Sequence, residues 1–270
     1  MKKNIILTLL SLVLLQSAVF ADIIKFVQVT DTHFKSNDDY RAEVLRKTVK
    51  DINREKDIAF VVFTGDNIDS PKAEYIPSFV KIINKLDVPY YIVIGNHDVF
   101  KNNGLSKNKY LEIIRDNNCL YRNKKTNYVF KKNGFVFIVV DGAKEIIPGS
   151  TGYYKADTLK WLDKQLTKYK NEKVVIFQHF PLVTTKEIKS HEVYQKEKYL
   201  EILDKHTNVI SVIAGHIHSN NEVMRNGVYH ITSPTLLNNP HVYKVITITT
   251  TKGFSPMIYT ELKETDMNQK

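Results

Sequence analysis

The chain has 270 residues, one cysteine and a formal net charge of +10. A single cysteine excludes an intramolecular disulfide, so the fold must be held by its core and by any metal it binds. The positive charge favours anionic partners through long-range steering, but Lys is spread along the chain and forms no clustered basic stripe.

Met1-Lys2-Lys3 precedes an apolar run, 5–20, that carries no charge and ends Val19-Phe20-Ala21. A basic start, an apolar middle and aliphatic or small residues at −3 and −1 predict a secretory signal peptide, 1–21, cut after Ala21. The run is slightly short for a span of ~20 residues, and no cysteine follows it to take a lipid. The mature chain is therefore expected to keep no stable membrane span and to be exported, periplasmic or secreted. Removing 21 of the 270 residues leaves 249, and losing Lys2 and Lys3 lowers the charge from +10 to +8. That length suits one α/β domain, 22–262, with a polar tail, 263–270, expected to fray.

Residues 23–29 read as a buried strand, and 40–56 as an amphipathic helix with Val44, Leu45, Val49 and Ile52 at helical spacing. A strand at 58–63, a helix at 74–86 and a strand at 90–94 complete a β-α-β-α-β run, which predicts parallel strands with right-handed crossovers. A helix near 106–116 is followed by a hairpin, 127–131 and 135–140, whose Asn133-Gly134 is the turn signal. A helix at 157–169 with Leu159, Leu162, Leu166 and Tyr169 on one stripe comes next, then strands at 174–177, 209–214, 228–232 and 242–249. Two facing mixed sheets with helices outside both, a four-layer α-β-β-α sandwich of the α/β class, is the simplest architecture. Trp161 is expected to pack, and Cys119 to be a small buried residue.

Five motifs follow strand-like runs: Asp31-x-His33, Gly65-Asp66, Gly95-Asn96-His97-Asp98, a lone His179, and Gly215-His216-x-His218. Open α/β sheets bind ligands beyond the carboxyl ends of their strands, so these residues should converge. In an extended segment residues i and i+2 point the same way, so Asp31 and His33 can reach one ion, and His216 and His218 repeat the pattern. Carboxylate, amide and imidazole donors without thiolate suit Mn, Fe, Zn, Co or Ni better than a structural zinc site.

The ordered series resembles the calcineurin-like metallophosphoesterases over roughly 24–235, and is nearest in look to the short bacterial cyclic-nucleotide phosphodiesterases. The resemblance implies two divalent metal ions, one on Asp31, His33, Asp66 and His218, the other on Asp66, Asn96, His179 and His216, with Asp66 bridging. It implies hydrolysis of a phosphoester small molecule by a hydroxide held between the ions. His97 would be the general acid, oriented by Asp98. Asp69 stands where purple acid phosphatases carry a Tyr ligand, which speaks against an Fe(III)-tyrosinate site. Two other uses of the same fold compete: a nuclease acting on nucleic acid outside the cytoplasm, and a non-catalytic metal-binding scaffold. Of the histidines outside the motifs (His191, His206, His230 and His241), His191 is the one expected to lie nearest substrate.

Overall fold

The computed structural model describes residues 21–185, 189–251 and 253–269. The signal segment expected at 1–21 lies outside the described residues except for Ala21. Among the described residues no helix is long and apolar enough to cross a membrane.

In chain order the elements are β1 (Ala21–Val29), α1 (Asp39–Ile52), β2 (Val61–Phe63), α2 (Tyr75–Ile83), β3 (Tyr90–Ile92), α3 (Lys107–Asn117), β4 (Tyr128–Lys132), β5 (Phe135–Val139), α4 (Ala156–Lys168), β6 (Lys173–Phe177), α5 (Lys196–Lys205), β7 (Val209–Ala214), β8 (Asn221–Arg225), β9 (Val228–Thr232), β10 (Val242–Thr251) and β11 (Met257–Glu264). One sheet has the order β11-β10-β1-β2-β3 and the other β4-β5-β6-β7-β9-β8. Both are mixed: β1, β2 and β3 run parallel, as do β5, β6, β7 and β9, with antiparallel strands toward the edges. The expected four-layer α/β sandwich is the one observed.

Alternation along the strands explains the layers. Ile24 and Phe26 face inward with Phe60, Phe137, Phe177, Ile246 and Ile248, making an apolar core between the sheets. Phe137 stacks on Phe177 at 5.6 Å, and Phe26 meets Phe177 edge-on at 5.6 Å. Val27, Val29, Val61 and Phe63 point to the other face, into the core shared with the helices. α1 begins at a true cap, with the Asp38 side chain accepting from Arg41 N, and buries Val44, Leu45, Val49 and Ile52, the stripe read from the sequence. The β4–β5 hairpin turns at Asn133 (φ 47°) and Gly134 (φ 79°), the left-handed pair that a two-residue loop requires.

Three elements were not legible in advance: α5, β8 and β11. The polar end was expected to fray from 263, but β11 pairs with β10 through Glu264 (opposite Val242), and Thr265 is buried. Lys47 Nζ then donates to the carbonyls of Met267 and Gln269 (2.6 and 2.9 Å), docking the terminus on α1. Cys119 corrects another expectation: it is exposed, because its loop turns outward after α3. Trp161 packs against the core as expected.

Candidate metal centre

The motifs leave both sheets at the carboxyl ends of β1, β2, β3, β6 and β7. Backbone bonds lace these exits together. Asp31 N and His33 N donate to Gly65 O and Asp66 O (both 3.0 Å), Thr64 N donates to Val29 O (2.9 Å), and Gly215 N donates to His179 O (3.0 Å). Segments remote in sequence are thus fixed side by side before any side chain is considered.

Asp31 (φ 52°), His33 (41°), Asp66 (51°), His216 (72°) and His218 (51°) all have left-handed backbones. Side-chain-bearing residues rarely adopt this region, and holding one there costs about 1–3 kcal/mol. The observation corrects the expectation that the two i, i+2 pairs are extended. An extended His216-x-His218 would aim both rings at one ion. The left-handed turns instead send His218 toward Asp31 and His33, and His216 toward Asp66 and His179. Close approach also explains two glycines: a Cβ on Gly95 would overlap the Asp66 carboxylate, and one on Gly215 would overlap Thr30 Oγ1 and Asp31 Oδ2.

The expected ligands therefore converge in two adjoining groups. In the first, His218 Nε2 lies 3.2 Å from Asp31 Oδ1 and 3.3 Å from His33 Nε2. In the second, His179 Nε2 lies 3.3 Å from Asp66 Oδ2 and 3.2 Å from Asn96 Oδ1, with His216 completing the set. Asp66 Oδ2 is also 4.0 Å from His33 Nε2, so this one carboxylate borders both groups.

The donors fit cations. Asp31 is fully buried; its Oδ2 accepts from Thr30 Oγ1 (2.6 Å) and His216 N (3.0 Å), whereas its Oδ1 has no hydrogen-bond partner among the described residues. A buried carboxylate oxygen without a donor is costly, and here it faces imidazole nitrogens across the gap an ion would fill. Outer carbonyls set the tautomers. Thr64 O accepts from His179 Nδ1 (2.9 Å), which leaves Nε2 free to coordinate an ion. Ser150 O accepts from His216 Nε2 (2.7 Å), which leaves Nδ1.

Burial and the close approach of ionisable groups set the electrostatics. Burial opposes ionisation of Asp66, but the His179 ring, and behind it His33 and His97, hold its carboxyl well below the usual range. Burial likewise opposes ionisation of Asp31, and the His218 ring overcomes it. Burial would neutralise His179, but Asp66 and Asp31 raise it to about 9. His216, 4.9 Å away, is pushed down to about 3 by burial and by the charge on His179. A cation in each group would balance the carboxylates and leave every ring free to act as a neutral ligand.

His97 lies at the edge, its ring 4.7 Å from that of His33 and its Nε2 4.0 Å from Asp66 Oδ2. Its orienting partner is not the one expected. His97 Nδ1 donates to the Asp69 carbonyl (2.6 Å). Asp98, fully buried, accepts from Gly95 N (2.7 Å), Ile68 N (3.0 Å) and Asn67 Nδ2 (3.0 Å). The role proposed for Asp98 is thus corrected: it ties the Gly65 and Gly95 loops together because their amides need a buried acceptor. Burial and the nearby Asp66 charge push it up to about 7, against the pull of the Gly95 and Ile68 amides. Asp69 is held in turn by Arg41, which donates to Asp69 Oδ1 (2.6 Å) and to the His33 carbonyl (2.5 Å).

Of the remaining histidines, His206 bonds Asp163 (2.7 Å), His241 bonds Tyr40 (2.9 Å), and His230 is buried in β9. His191 lies against the centre, its ring 4.9 Å from that of His216.

A family model described as calcineurin-like phosphoesterase matches residues 24–220. A probable glycerophosphodiester phosphodiesterase from Arcobacter nitrofigilis is 29% identical over 228 residues, 77% of this chain and 76% of that protein. A 3′,5′-cyclic-nucleotide phosphodiesterase from Nostoc is 24% identical over 223 residues, 78% of each chain. Among solved structures, a dimetal phosphatase from Danio rerio shares the fold with a TM-score of 0.65 at 19% identity, covering 88% of this chain and 98% of that one.

Proposed function

The chain belongs to the calcineurin-like phosphoesterase family, hydrolases of phosphoester bonds, and from that premise we propose that it is an exported phosphodiesterase dependent on two divalent cations. The observation that carries the reading is the placement of Asp66, one buried carboxylate shared between two groups of nitrogen and oxygen donors. Diester specificity is supported by the relatives named for glycerophosphodiesters and cyclic nucleotides. Export is supported by the basic and apolar start of the sequence.

Asp31, His33, Asp66 and His218 would hold one ion, and Asp66, Asn96, His179 and His216 the other, with Mn, Fe or Zn suited to this donor set. Such a pair, when bound, supplies charge to the phosphoryl oxygens and lowers the pKa of water toward neutrality. The protein supplies the rest. The left-handed turns and glycine contacts keep the donors in place, so little reorganisation accompanies the reaction. With its Nδ1–H committed to the Asp69 carbonyl, His97 presents Nε2 to the crevice, where a protonated ring gives its proton to the departing alkoxide oxygen.

The test is hydrolysis of bis(4-nitrophenyl) phosphate by chelated and Mn²⁺-reconstituted protein. Loss on chelation and recovery with Mn²⁺ are expected, and activity persisting in fully demetallated protein would refute the reading. Mass spectrometry of protein from the producing cells tests export. A chain beginning at Asp22 outside the cytoplasm is expected, and full-length cytosolic protein would sink that part.

A further inference from the structure

Two histidines flank the centre on opposite sides. His97 lies against His33 at 4.7 Å, and His191 lies against His216 at 4.9 Å, with Asp66 and His179 between them. A phosphodiester has two arms, and a monoester has one. The leaving arm belongs on the side of His97, the proton donor. Space on the His191 side has no use for a monoester.

That space exists. A cavity of about 200 Å³ opens beside His191, walled by Leu182, Val183, Val193, Leu200 and Ile217. Its lining adjoins the centre: His191 borders it and lies 4.9 Å from the His216 ring, Leu182 and Val183 follow His179 by three and four residues, and Ile217 sits between His216 and His218. Leu182 and Val193 are buried, and Val183, Leu200 and Ile217 are half-buried or less exposed. Thr184, Glu192, Lys196 and Arg225 also border the cavity; Asp204 holds the Arg225 guanidinium at two points (2.6 and 2.9 Å), and the apolar side chains supply the surface on which a ring would lie. The mouth is kept in place by a second segment. Ser150 Oγ donates to Ser190 O (2.6 Å), and Gly152 N and Tyr194 N exchange backbone bonds with Glu192 O and Gly152 O (3.1 and 2.9 Å).

The geometry points to this cavity as the subsite for the retained arm of the diester, selecting an apolar, ring-sized alcohol over a small one, with His191 at its neck. The inference rests on the phosphodiesterase reading and adds the substrate class to it.

Two diesters that share a leaving group test it: methyl 4-nitrophenyl phosphate and phenyl 4-nitrophenyl phosphate, hydrolysed by the Mn²⁺-loaded full chain. After correction for uncatalysed rates, kcat/KM should favour the phenyl ester by at least about ten-fold, since a phenyl arm buries several more apolar carbons than a methyl arm. Val183→Trp and Leu200→Trp each place a ring in the cavity and should bring the ratio close to one. A ratio taken within one preparation is independent of the fraction folded, so poor folding of either variant does not blunt the measurement. Phenylphosphonate should also inhibit wild type more tightly than methylphosphonate, with the difference lost in both variants. Wild type cleaving both esters equally, or filled variants keeping the phenyl preference, would overturn the subsite and leave the phosphodiesterase reading intact. Failure of wild type to cleave either diester would overturn that reading, and the subsite with it.

Discussion

The same strands build two unlike regions. Between the sheets, Phe26, Phe60, Phe137 and Phe177 sit on regular strand or strand-flanking backbone, pack ring against ring and are essentially inaccessible to water. A few residues further on, past the carboxyl ends, Asp31, Asp66 and His179 are buried but carry charge, with the neutral His216 ring among them, and Asp31, Asp66 and His216 have left-handed backbones. The first region gains stability from every atom it buries. The second spends part of that stability to hold like and unlike charges at coordination distance. Burial depth alone does not separate core from site here; among the described residues, those that are buried, non-glycine and of positive φ are Asp31, His33, Asp66 and His216.

If that contrast holds, losses of activity and losses of stability should fall in different places. The largest expected effect is at Asp66. Asp66→Ala should remove more than about a thousand-fold of kcat/KM, because one change strips a ligand from both cations. The metal-free variant should unfold at about the same denaturant concentration as metal-free wild type, since removing a charge buried beside Asp31 and Asp98 offsets the loss of its bonds to His97 N and His179, while the backbone stays left-handed. Metal analysis and a urea titration of both proteins check this. A variant that keeps two metals, or that is markedly less stable when metal-free, would break the comparison.

His97 comes next. General acid catalysis is typically worth about 10²–10⁴-fold, and only where the leaving oxygen needs a proton. His97→Ala should lose that factor on an alkyl-alcohol leaving group and much less on nitrophenol, with both metals retained. Equal losses on the two substrates would show that the ring positions phosphate instead. Asp98→Asn should act differently: by weakening the acceptor shared by Gly95 N and Ile68 N, it should lower stability and lose activity on both substrates alike.

The architecture was readable because period-two strands and the α1 stripe are local patterns, and the Asn133-Gly134 turn announces its own geometry. The convergence of the candidate ligands was readable because each is a side chain of distinctive chemistry at a strand end. What escaped had no side-chain signature. The partners that fix the tautomers of His97, His179 and His216 are the carbonyls of Asp69, Thr64 and Ser150, and any residue has a carbonyl. Asp98 was misread because adjacency in Gly-Asn-His-Asp says nothing about direction, and its carboxylate turns back into the backbone. β11 was missed because, as an edge strand, it leaves Met257 and Tyr259 exposed beside half-buried Ile258 and Thr260, and its last two residues, Lys263 and Glu264, fall in the stretch expected to fray.

In the aromatic layer the pattern should invert. Phe177 is wholly buried, and Phe177→Ala leaves a void between the sheets, at a cost of about 3–5 kcal/mol. The folded fraction should nevertheless keep kcat within a few-fold of wild type, because the exit of β6 toward His179 is held by backbone bonds such as Val140 N to Phe177 O (2.9 Å) and Gln178 N to Ile213 O (3.0 Å). Urea unfolding beside active-site-titrated kinetics separates the two effects. A collapse of kcat per active site would mean that core and site are not independent.

The smallest expected effect concerns His230, a charge-bearing group stranded on the wrong side of the contrast. It is 3% exposed in β9, and neither ring nitrogen has a hydrogen-bond partner among the described residues. Burial, and after it the Arg225 charge, lowers the ring from 6.5 to about 4. The sign follows from which state takes the proton first. Above about pH 6.5 the ring is neutral folded or unfolded and contributes no pH dependence. As pH falls below that, the unfolded chain is protonated while the folded one is not, so stability drains away until about pH 4. One pKa unit corresponds to about 1.4 kcal/mol, so the window from 6.5 to about 4 is worth at most about 3.5 kcal/mol. His230→Leu, similar in size and without a titrating group, should be less sensitive to acid than wild type across that window and should differ little in slope above it. Urea midpoints at half-unit steps from pH 4 to 8 give the difference curve. Parallel curves for the two proteins would mean that the ring is protonated in the folded state, paired with a group that compensates its charge.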